Sequence, residues 1–216
     1  MIIQDTTGSA KDVDRVTAEI IHRFESQRES GTAKAALAEL RRSAGQSFAE
    51  AQAVWPMLLA QMPESMLSSS GEPTAEENAV FAALQFYALC QQGSRRVSGL
   101  PESDKPAEAN EKRQRLNMGA SLRTLRSDAN EKALDRRFNA MLTAESFDEL
   151  AYHLRQLIKL AKAAGVRAID FPQLAEDLFW FQRGSDQQVK LRWATAYYRM
   201  NQDDKETKQE EASHAE

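Results

Sequence analysis

Residues 146–200 indicate the fold most clearly, and they read SFDELAYHLRQLIKLAKAAGVRAIDFPQLAEDLFWFQRGSDQQVKLRWATAYYRM. The first part of this stretch predicts an amphipathic helix. Ser146 and Glu149 have the spacing of a capping box, in which each side chain bonds the backbone N–H at the other position. Gly165 can end the helix in a left-handed turn. Between these signals, apolar residues recur at helical spacing: Leu150, Leu154, Leu157, Ile158 and Ala161.

Two further helices are predicted downstream. Asp170 can cap the first of them, and Pro172 lies in its first turn, where the missing N–H costs nothing. That helix should stop near Gly184, and Ser185 or Asp186 should begin the next. Their apolar sides hold the following residues: Leu174, Leu178, Phe179, Phe181, Val189, Trp193, Ala196 and Tyr197. The whole stretch is apolar and aromatic, and it contains no obvious catalytic group.

Helical spacing of apolar residues also recurs upstream, in segments that cover residues 13–24, 33–42, 48–61, 74–92, 116–126 and 130–142. Thr32 can cap the second segment, and Asn130 can cap the last. Pro56 implies a start, a kink or a break within the third. Thr74 and Glu77 have the spacing of another capping box, opening a helix that is apolar on nearly all sides and should be buried by several neighbours.

We therefore predict an all-α protein, a bundle of about eight to nine helices in two halves without a sheet. The N-terminal helical half should cover residues 12–92, and the C-terminal bundle should cover residues 112–200. Residues 93–111 have the composition of a mobile linker loop, and residues 201–216 that of a disordered acidic tail.

Composition limits the function. The 216 residues are 28% charged and 42% hydrophobic, which is typical of a globular helical chain. The single cysteine, Cys90, excludes an internal disulfide framework and a cysteine-based zinc site, and its apolar surroundings predict a buried, inert thiol. The sequence contains neither a signal peptide nor a run of membrane-spanning length, so we expect a cytoplasmic protein that does not bind membranes.

Charge is unevenly distributed along the chain. The net charge is −4, yet residues 111–167 contain twelve Lys and Arg against seven Asp and Glu. Residues 203–216 contain six acidic residues against two lysines. A basic middle is thus offset by an acidic tail, although long helices also carry charged faces for solubility alone.

Signatures of catalysis are missing from the sequence. It has neither a phosphate-cradling Gly-rich loop nor a nucleophile elbow. His22, His153 and His214 are scattered, without partners at metal-ligand spacing. We therefore predict no enzyme activity, no catalytic residue, no metal site and no cofactor. The aromatic residues are best explained as a core cluster, with Tyr198 or Trp180 partly exposed.

Arginines are the better functional candidates, because several occur as close pairs on separate segments. A guanidinium group can donate two hydrogen bonds to one phosphate, so such pairs suit a nucleic-acid backbone. Arg123 and Arg126, three residues apart, should share one helix face. The alternative from the residues alone is that these arginines form ordinary solvated faces and local ion pairs.

Five segments in this order resemble one known family: GTAKAALAELRRS (31–43), LNMGASLRTL (116–125), ALDRRFNAML (133–142), IDFPQLAEDLFWFQ (169–182) and VKLRWATAYY (189–198). The chain resembles the CasB family, the small subunit of the type I-E CRISPR surveillance complex Cascade, over most of residues 20–200. The resemblance implies an all-helical, non-catalytic subunit of a ribonucleoprotein that acts in antiviral defence. The longer N-terminus and the acidic tail depart from the family pattern.

The resemblance also implies partners. Two copies of the family's protein pack head to tail, contact the crRNA and target DNA, and help to hold the displaced strand of the R-loop. Such contacts would be independent of sequence, because guide pairing reads the sequence. The other Cascade subunits would be protein partners. The alternative is a helical protein–protein scaffold subunit without direct nucleic-acid contact.

The family's basic surface maps onto nine predicted nucleic-acid-binding residues here: Lys34, Arg41, Arg42, Arg113, Arg115, Arg123, Arg126, Arg136 and Arg137. Arg95 and Arg96 form another pair whose correspondence to that surface is open, because loop lengths vary.

Overall fold

The computed structural model describes residues 6–93, 116–127, 129–166 and 168–199. Its helices are α1 (Thr6–Ser26), α2 (Gly31–Arg42), α3 (Trp55–Leu59), α4 (Ala75–Cys90), α5 (Met118–Arg123), α6 (Glu131–Leu142), α7 (Phe147–Ala164), α8 (Phe171–Trp180) and α9 (Asp186–Tyr198). Short 3₁₀ turns lie at Gln52–Val54 and Glu64–Met66. Within these ranges no strand forms, and the all-α prediction is confirmed.

Helix α4 is the central element of the core. It is buried on nearly all sides, as its sequence predicts, and it packs against α1, α2, α7 and α8. Helix α8 packs on both α1 and α4, so helices from both sides of residues 94–115 share one continuous core. Phe24 stacks on Tyr87 and Phe171 meets the same ring edge-on, which links α1, α4 and α8.

Helices α7 and α9 each pack against one further helix. Helix α6 packs against α7, and α5 packs against α9. Helices α8 and α9 are joined by one π-helical turn, Phe181–Ser185, in which Gly184 has φ 82°. A left-handed backbone of this kind favours glycine, so the break between the two helices lies at Gly184, near the predicted stop.

Most of the predicted helix ends are confirmed. Thr74 and Glu77 form a complete capping box, with Thr74 Oγ1 accepting from Glu77 N at 3.0 Å and Glu77 Oε2 accepting from Thr74 N at 2.7 Å. Asp170 accepts from Gln173 N at 2.9 Å, and Gly165 has φ 84°.

The Ser146 box is only half formed. Ser146 Oγ accepts from Glu149 N at 3.2 Å, but Glu149 Oε2 accepts from Glu145 N at 2.9 Å instead of from Ser146 N. The side chain of Glu149 therefore reaches one residue further than a capping box requires.

Two of the predicted caps are wrong. Ser30, not Thr32, caps α2, because its side chain accepts from Ala33 N at 3.1 Å and the helix begins one residue later. Asn130 precedes α6 but makes no capping bond to it. Its side chain instead accepts from Ser127 N and donates to Leu125 O, which fixes the turn before α6.

The extent of two segments also differs from prediction. Residues 48–61 form a 3₁₀ turn and the short helix α3, and Pro56 lies in the first turn of α3, where it starts a helix rather than kinking one. Helix α5 ends at Arg123, so Arg126 lies beyond it and the two arginines do not share a helix face.

The proposed linker lies outside the described residues except for Gly93, and so does the acidic tail. Gly93 follows the end of α4 with φ 82°. Of the helices that the structure describes, none is long and apolar enough to cross a bilayer.

Candidate nucleic-acid interface

Two of the predicted cations are neutralised within the N-terminal helices. Lys34 Nζ lies 2.7 Å from Glu29 Oε2, and Arg42 lies 2.7 Å from Glu39 Oε1. Both basic side chains are well exposed, at 58% and 69%. Such exposed pairs contribute little to stability, but each places a carboxylate where a phosphate would otherwise bind.

Arg126 belongs to a different environment. Its guanidinium donates to both carboxylate oxygens of Asp135 at 3.1 Å and to Glu131 at 2.5 Å. It also lies 5.2 Å from the ring centre of Tyr197 and 5.7 Å from that of Tyr198. The hydrogen bonds that Arg126 donates to Asp135 raise the pKa of Arg126 above its ordinary value. Arg126 therefore connects the α5–α6 turn to α9.

Tyr197 completes this network from α9. Its hydroxyl donates to Asp135 Oδ1 at 2.7 Å, and burial raises the pKa of the phenol, which keeps it a neutral donor. Its ring stacks on Phe138 with the centroids 3.8 Å apart. The predicted role of Tyr197 and Trp193 as core aromatics is confirmed, since both are fully buried. Tyr198 is partly exposed as predicted, and its hydroxyl donates to Asn139.

The remaining arginines differ in their exposure and in whether the structure describes them. Arg136 and Arg137 are exposed on α6, and neither has a carboxylate within ion-pair distance among the described residues. Arg123 ends α5 and is half-buried. Arg113 and Arg115 lie outside the described residues, as do Arg95 and Arg96.

Arg41 lies near a lysine that the sequence does not single out. Gln85 in α4 donates to Ser43 O at 2.6 Å, which fixes the end of α2 over α4. There the positive charge of Arg41 helps to lower the pKa of Lys162 on α7, although burial is the larger cause. Lys162 Nζ donates to Leu89 O at 2.7 Å and to Gln92 O, both near the end of α4.

Arg155 brings a further cation to this side of α7. Its guanidinium lies so close to Gly45 that a side chain there would place its Cβ 3.3 Å from Arg155 Nη1. Lys159 is exposed between Arg155 and Lys162, at spacings of four and three residues, which put all three on one side of the helix. We call this group the α2–α7 basic face, and its members are Arg41, Arg155, Lys159 and Lys162.

The α2–α7 basic face was not predicted from the sequence. Its three α7 residues occur singly, so a search for adjacent arginine pairs passes over them. Their helical spacing of four and three residues was visible in the sequence. The proximity of Lys162 to Arg41 was not, because it depends on how α2 and α7 pack on α4.

Other titratable groups of the described chain are structural. Asp177 is fully buried and accepts from Trp193 Nε1 at 2.6 Å and from Arg192 at 2.7 Å, so its polar contacts bind α8 to α9. Burial raises the pKa of Asp177. Cys90 is buried as predicted, and burial raises the pKa of its thiol to about 12.

The described residues contain no evident metal-binding site. They hold no cluster of three or more His, Cys, Asp or Glu side chains that could bind a metal ion. His153 is half-buried on α7, with its Nε2 3.9 Å from Glu149. What the described surface offers is a set of fixed cations, suited to binding phosphate through charge and hydrogen bonds.

Comparison with protein-family models identifies one family. The family model described as CRISPR-associated protein Cse2 matches residues 36–198. A search of curated protein sequences found no match.

Solved structures of CasB proteins share the fold. CasB from Thermobifida fusca is 23% identical, with a TM-score of 0.63 over 88% of this chain and 98% of that one. CasB from Thermus thermophilus is 24% identical, with a TM-score of 0.57 over 84% of this chain and 97% of that one. CasB from M. ruber is 23% identical, with a TM-score of 0.58 over 91% and 97%.

Proposed function

This chain belongs to the CRISPR-associated Cse2 family, the CasB family that its sequence resembles, and from that premise we propose that it is a non-catalytic small subunit of Cascade. In this role it binds crRNA, target DNA and the displaced strand by their backbones and stabilises the R-loop in antiviral defence. Its partners are the other Cascade subunits and a second copy of itself. The non-catalytic assignment is supported by the structural role of the family.

The mechanism is electrostatic. Formation of an R-loop exchanges one duplex for another of similar stability, so modest contacts to the displaced or target strand shift the balance. Lys and Arg side chains that neutralise phosphates release counterions, and they do so on any sequence. Guide pairing reads the sequence, and this subunit would hold the opened strands.

The observation that supports the proposal best is the convergence of cations from separate elements. Arg41 on α2 and Arg155 and Lys162 on α7 gather over α4, and within the described residues none of them has a carboxylate at ion-pair distance. Arg136 and Arg137 are equally free of acidic partners in the described chain. Cations without carboxylate partners are available to phosphate.

We propose that the predicted residues contribute unequally. Lys34, Arg42 and Arg126 must first give up a carboxylate, whereas Arg41, Arg136 and Arg137 need not. This difference supplies the experiment. The double variant R136Q/R137Q and the control K34Q/R42Q remove the same charge from the chain, but only the control removes cations that are paired with carboxylates.

Fluorescence anisotropy of a single-stranded DNA oligonucleotide over a salt series measures the effect. R136Q/R137Q should weaken binding at low salt and reduce the slope of log K against log salt by about 1.4, since each phosphate contact to a single strand contributes about 0.7. K34Q/R42Q should retain most of the wild-type slope. Equal slopes for the two variants would show that overall charge alone governs binding, and would refute the assigned residues.

A protein–protein scaffold is the second candidate, and one observation favours it. Leu191 on α9 is 68% exposed, so a large apolar side chain is available there for contact with a partner subunit. If the purified protein binds neither single-stranded DNA nor duplex at low salt, and L191S prevents assembly with the other subunits, the scaffold function is favoured.

A further inference from the structure

A pocket of about 590 Å³ opens beside the α2–α7 basic face. Residues 45–50 form one wall, and the first turns of α7 form the other. Phe81 and Gln85 of α4 lie at its base. The volume is within the range of pockets that hold a small organic ligand, so the pocket is large enough for more than a bound ion.

Arg155 lines this pocket, and one of its hydrogen-bond donors is buried without an acceptor. Its Nε is buried and has no hydrogen-bond partner, and no described carboxylate lies within ion-pair distance of its guanidinium. Burial lowers the pKa of Arg155, which shows that the charged form loses hydration there. A buried donor without an acceptor destabilises a protein, so a missing ligand is one explanation for such a group.

Gly45 makes room for the guanidinium. Its φ of 105° is a backbone conformation that other residues rarely adopt, and an added Cβ would meet Arg155 Nη1 at 3.3 Å. The loop therefore passes close over the arginine while leaving part of it open to the pocket.

Tyr152 supplies a flat apolar surface next to this cation. Its side chain is 54% exposed, and it lies three residues before Arg155 on α7, so the two are neighbours on one helix face. The ring of His153 meets it at 76° with the centroids 5.4 Å apart. One nucleotide needs an aromatic ring on which its base can stack and a cation that binds its phosphate. Tyr152 and Arg155 provide these two groups side by side.

Two carboxylates also line the pocket and must be accounted for. Glu50 accepts from both Ser47 N at 2.9 Å and Ser47 Oγ at 3.0 Å, so its charge is turned toward the loop. Asp148 is exposed in the first turn of α7. A carboxylate there repels a second phosphate but can accept from the amino group of a base, which favours one nucleotide over a phosphate cluster.

We propose that this pocket binds a single nucleotide of a bound strand, with its phosphate on Arg155 and its base against Tyr152. The proposal rests on the proposed function for the source of that nucleotide, because Arg155 belongs both to the pocket lining and to the α2–α7 basic face. A free mononucleotide has the same chemistry, and the experiment separates the two sources.

The first arm measures strand binding with a single-stranded oligonucleotide that contains 2-aminopurine. R155M should weaken binding by about tenfold or more, the effect of losing a charge-assisted hydrogen bond. Y152A should abolish the quenching of 2-aminopurine that stacking on the tyrosine ring produces. R15Q is the control for charge, because Arg15 on α1 is paired with Asp12 and Glu19.

The second arm separates a ligand site from a structural role. R155M removes a buried, unpaired charge and keeps an apolar stem, so the ligand-free variant should melt at or above the wild-type temperature. A structural role predicts a melting temperature several degrees lower. That result would overturn the proposal, as would R155M and Y152A variants that bind the oligonucleotide like wild type.

A third arm distinguishes the failure of this proposal from failure of the proposed function. If the wild-type protein binds no oligonucleotide, the proposed function fails. Titration of the wild-type protein with dAMP then tests whether the pocket binds a nucleotide at all. Binding that is lost in R155M supports a site for free nucleotides, and absence of binding overturns the site. If the oligonucleotide binds and both pocket variants behave as wild type, only the pocket proposal fails.

Discussion

Gly119 is the position where one methyl group should disturb the fold most. An added Cβ would lie 1.9 Å from Trp193 O, 2.7 Å from Trp193 C and 2.9 Å from Trp193 Cα. Carbon–oxygen contacts between helices lie at about 3.3–3.6 Å, so α5 would have to withdraw from α9 by about 1.4 Å. The obstructing atoms are backbone, and no rotamer change can relieve the clash.

The expected loss follows from that geometry. Overpacking costs about 1–3 kcal/mol where side chains can yield, and here we expect about 3 kcal/mol because they cannot. The withdrawal would also break the hydrogen bond from Asn117 Nδ2 to Arg192 O, 3.3 Å long in the native chain. For a chain of this size, G119A should lower the melting temperature by about 6–12 °C.

Gly31 provides a matched control. It begins α2, and an added Cβ would meet nothing within 4 Å. G31A should therefore leave stability unchanged or raise it by up to about 1 kcal/mol, because alanine restricts the unfolded chain. Thermal melts followed by circular dichroism compare the two variants. If G119A melts within about 2 °C of wild type, the close packing of α5 on α9 is refuted.

Three other positions give separate predictions. R126Q should lower the free energy of unfolding in urea by about 1–3 kcal/mol, because it removes the ion pair with Asp135, and an unchanged value would contradict its structural role. Cys90 should resist alkylation at pH 8 in the native state, where about one thiol in ten thousand is ionised, and react quickly in urea; rapid native labelling would disprove its burial. K162M should cost about 1–2 kcal/mol through the lost bonds to the end of α4, and unaltered urea denaturation would exclude them.

Local signals in the sequence predicted the helices well. The capping box at Thr74 and Glu77, the Asp170 cap and the Gly165 turn all depend on hydrogen bonds or backbone conformation within four residues. The wrong predictions also concern neighbouring residues. Thr32 was predicted to cap α2, but Ser30, two residues earlier, is the cap. Asn130 has a side chain that bonds the preceding turn as readily as a helix end.

The candidate interface was less predictable, because a cation's availability depends on what it is paired with. The Glu39–Arg42 pair has a spacing of three residues and could have been recognised from the sequence. Arg126 binds Asp135 only because the α5–α6 turn folds back over α9. Arg155 reaches Gly45 through the packing of α7 and the loop after α2, which no pattern along the chain reveals.

The distinction between paired and unpaired cations changes how this surface is understood. A count of Lys and Arg treats all nine predicted residues alike. In the structure Lys34, Arg42 and Arg126 are bound by carboxylates. The second group is Arg41, Arg136 and Arg137, which have no carboxylate at ion-pair distance among the described residues. The second group, with the α7 residues added, is the surface that we expect to hold nucleic acid.

The lifetime of the R-loop in the assembled complex tests the central claim most directly. A complex reconstituted with the R41Q/R136Q/R137Q subunit should release the displaced strand at least about tenfold faster than wild type, and its lifetime should depend less on salt. K34Q/R42Q should behave like wild type. If the triple variant assembles normally and its R-loop lives as long as that of wild type at every salt concentration, this chain does not stabilise the R-loop through these arginines.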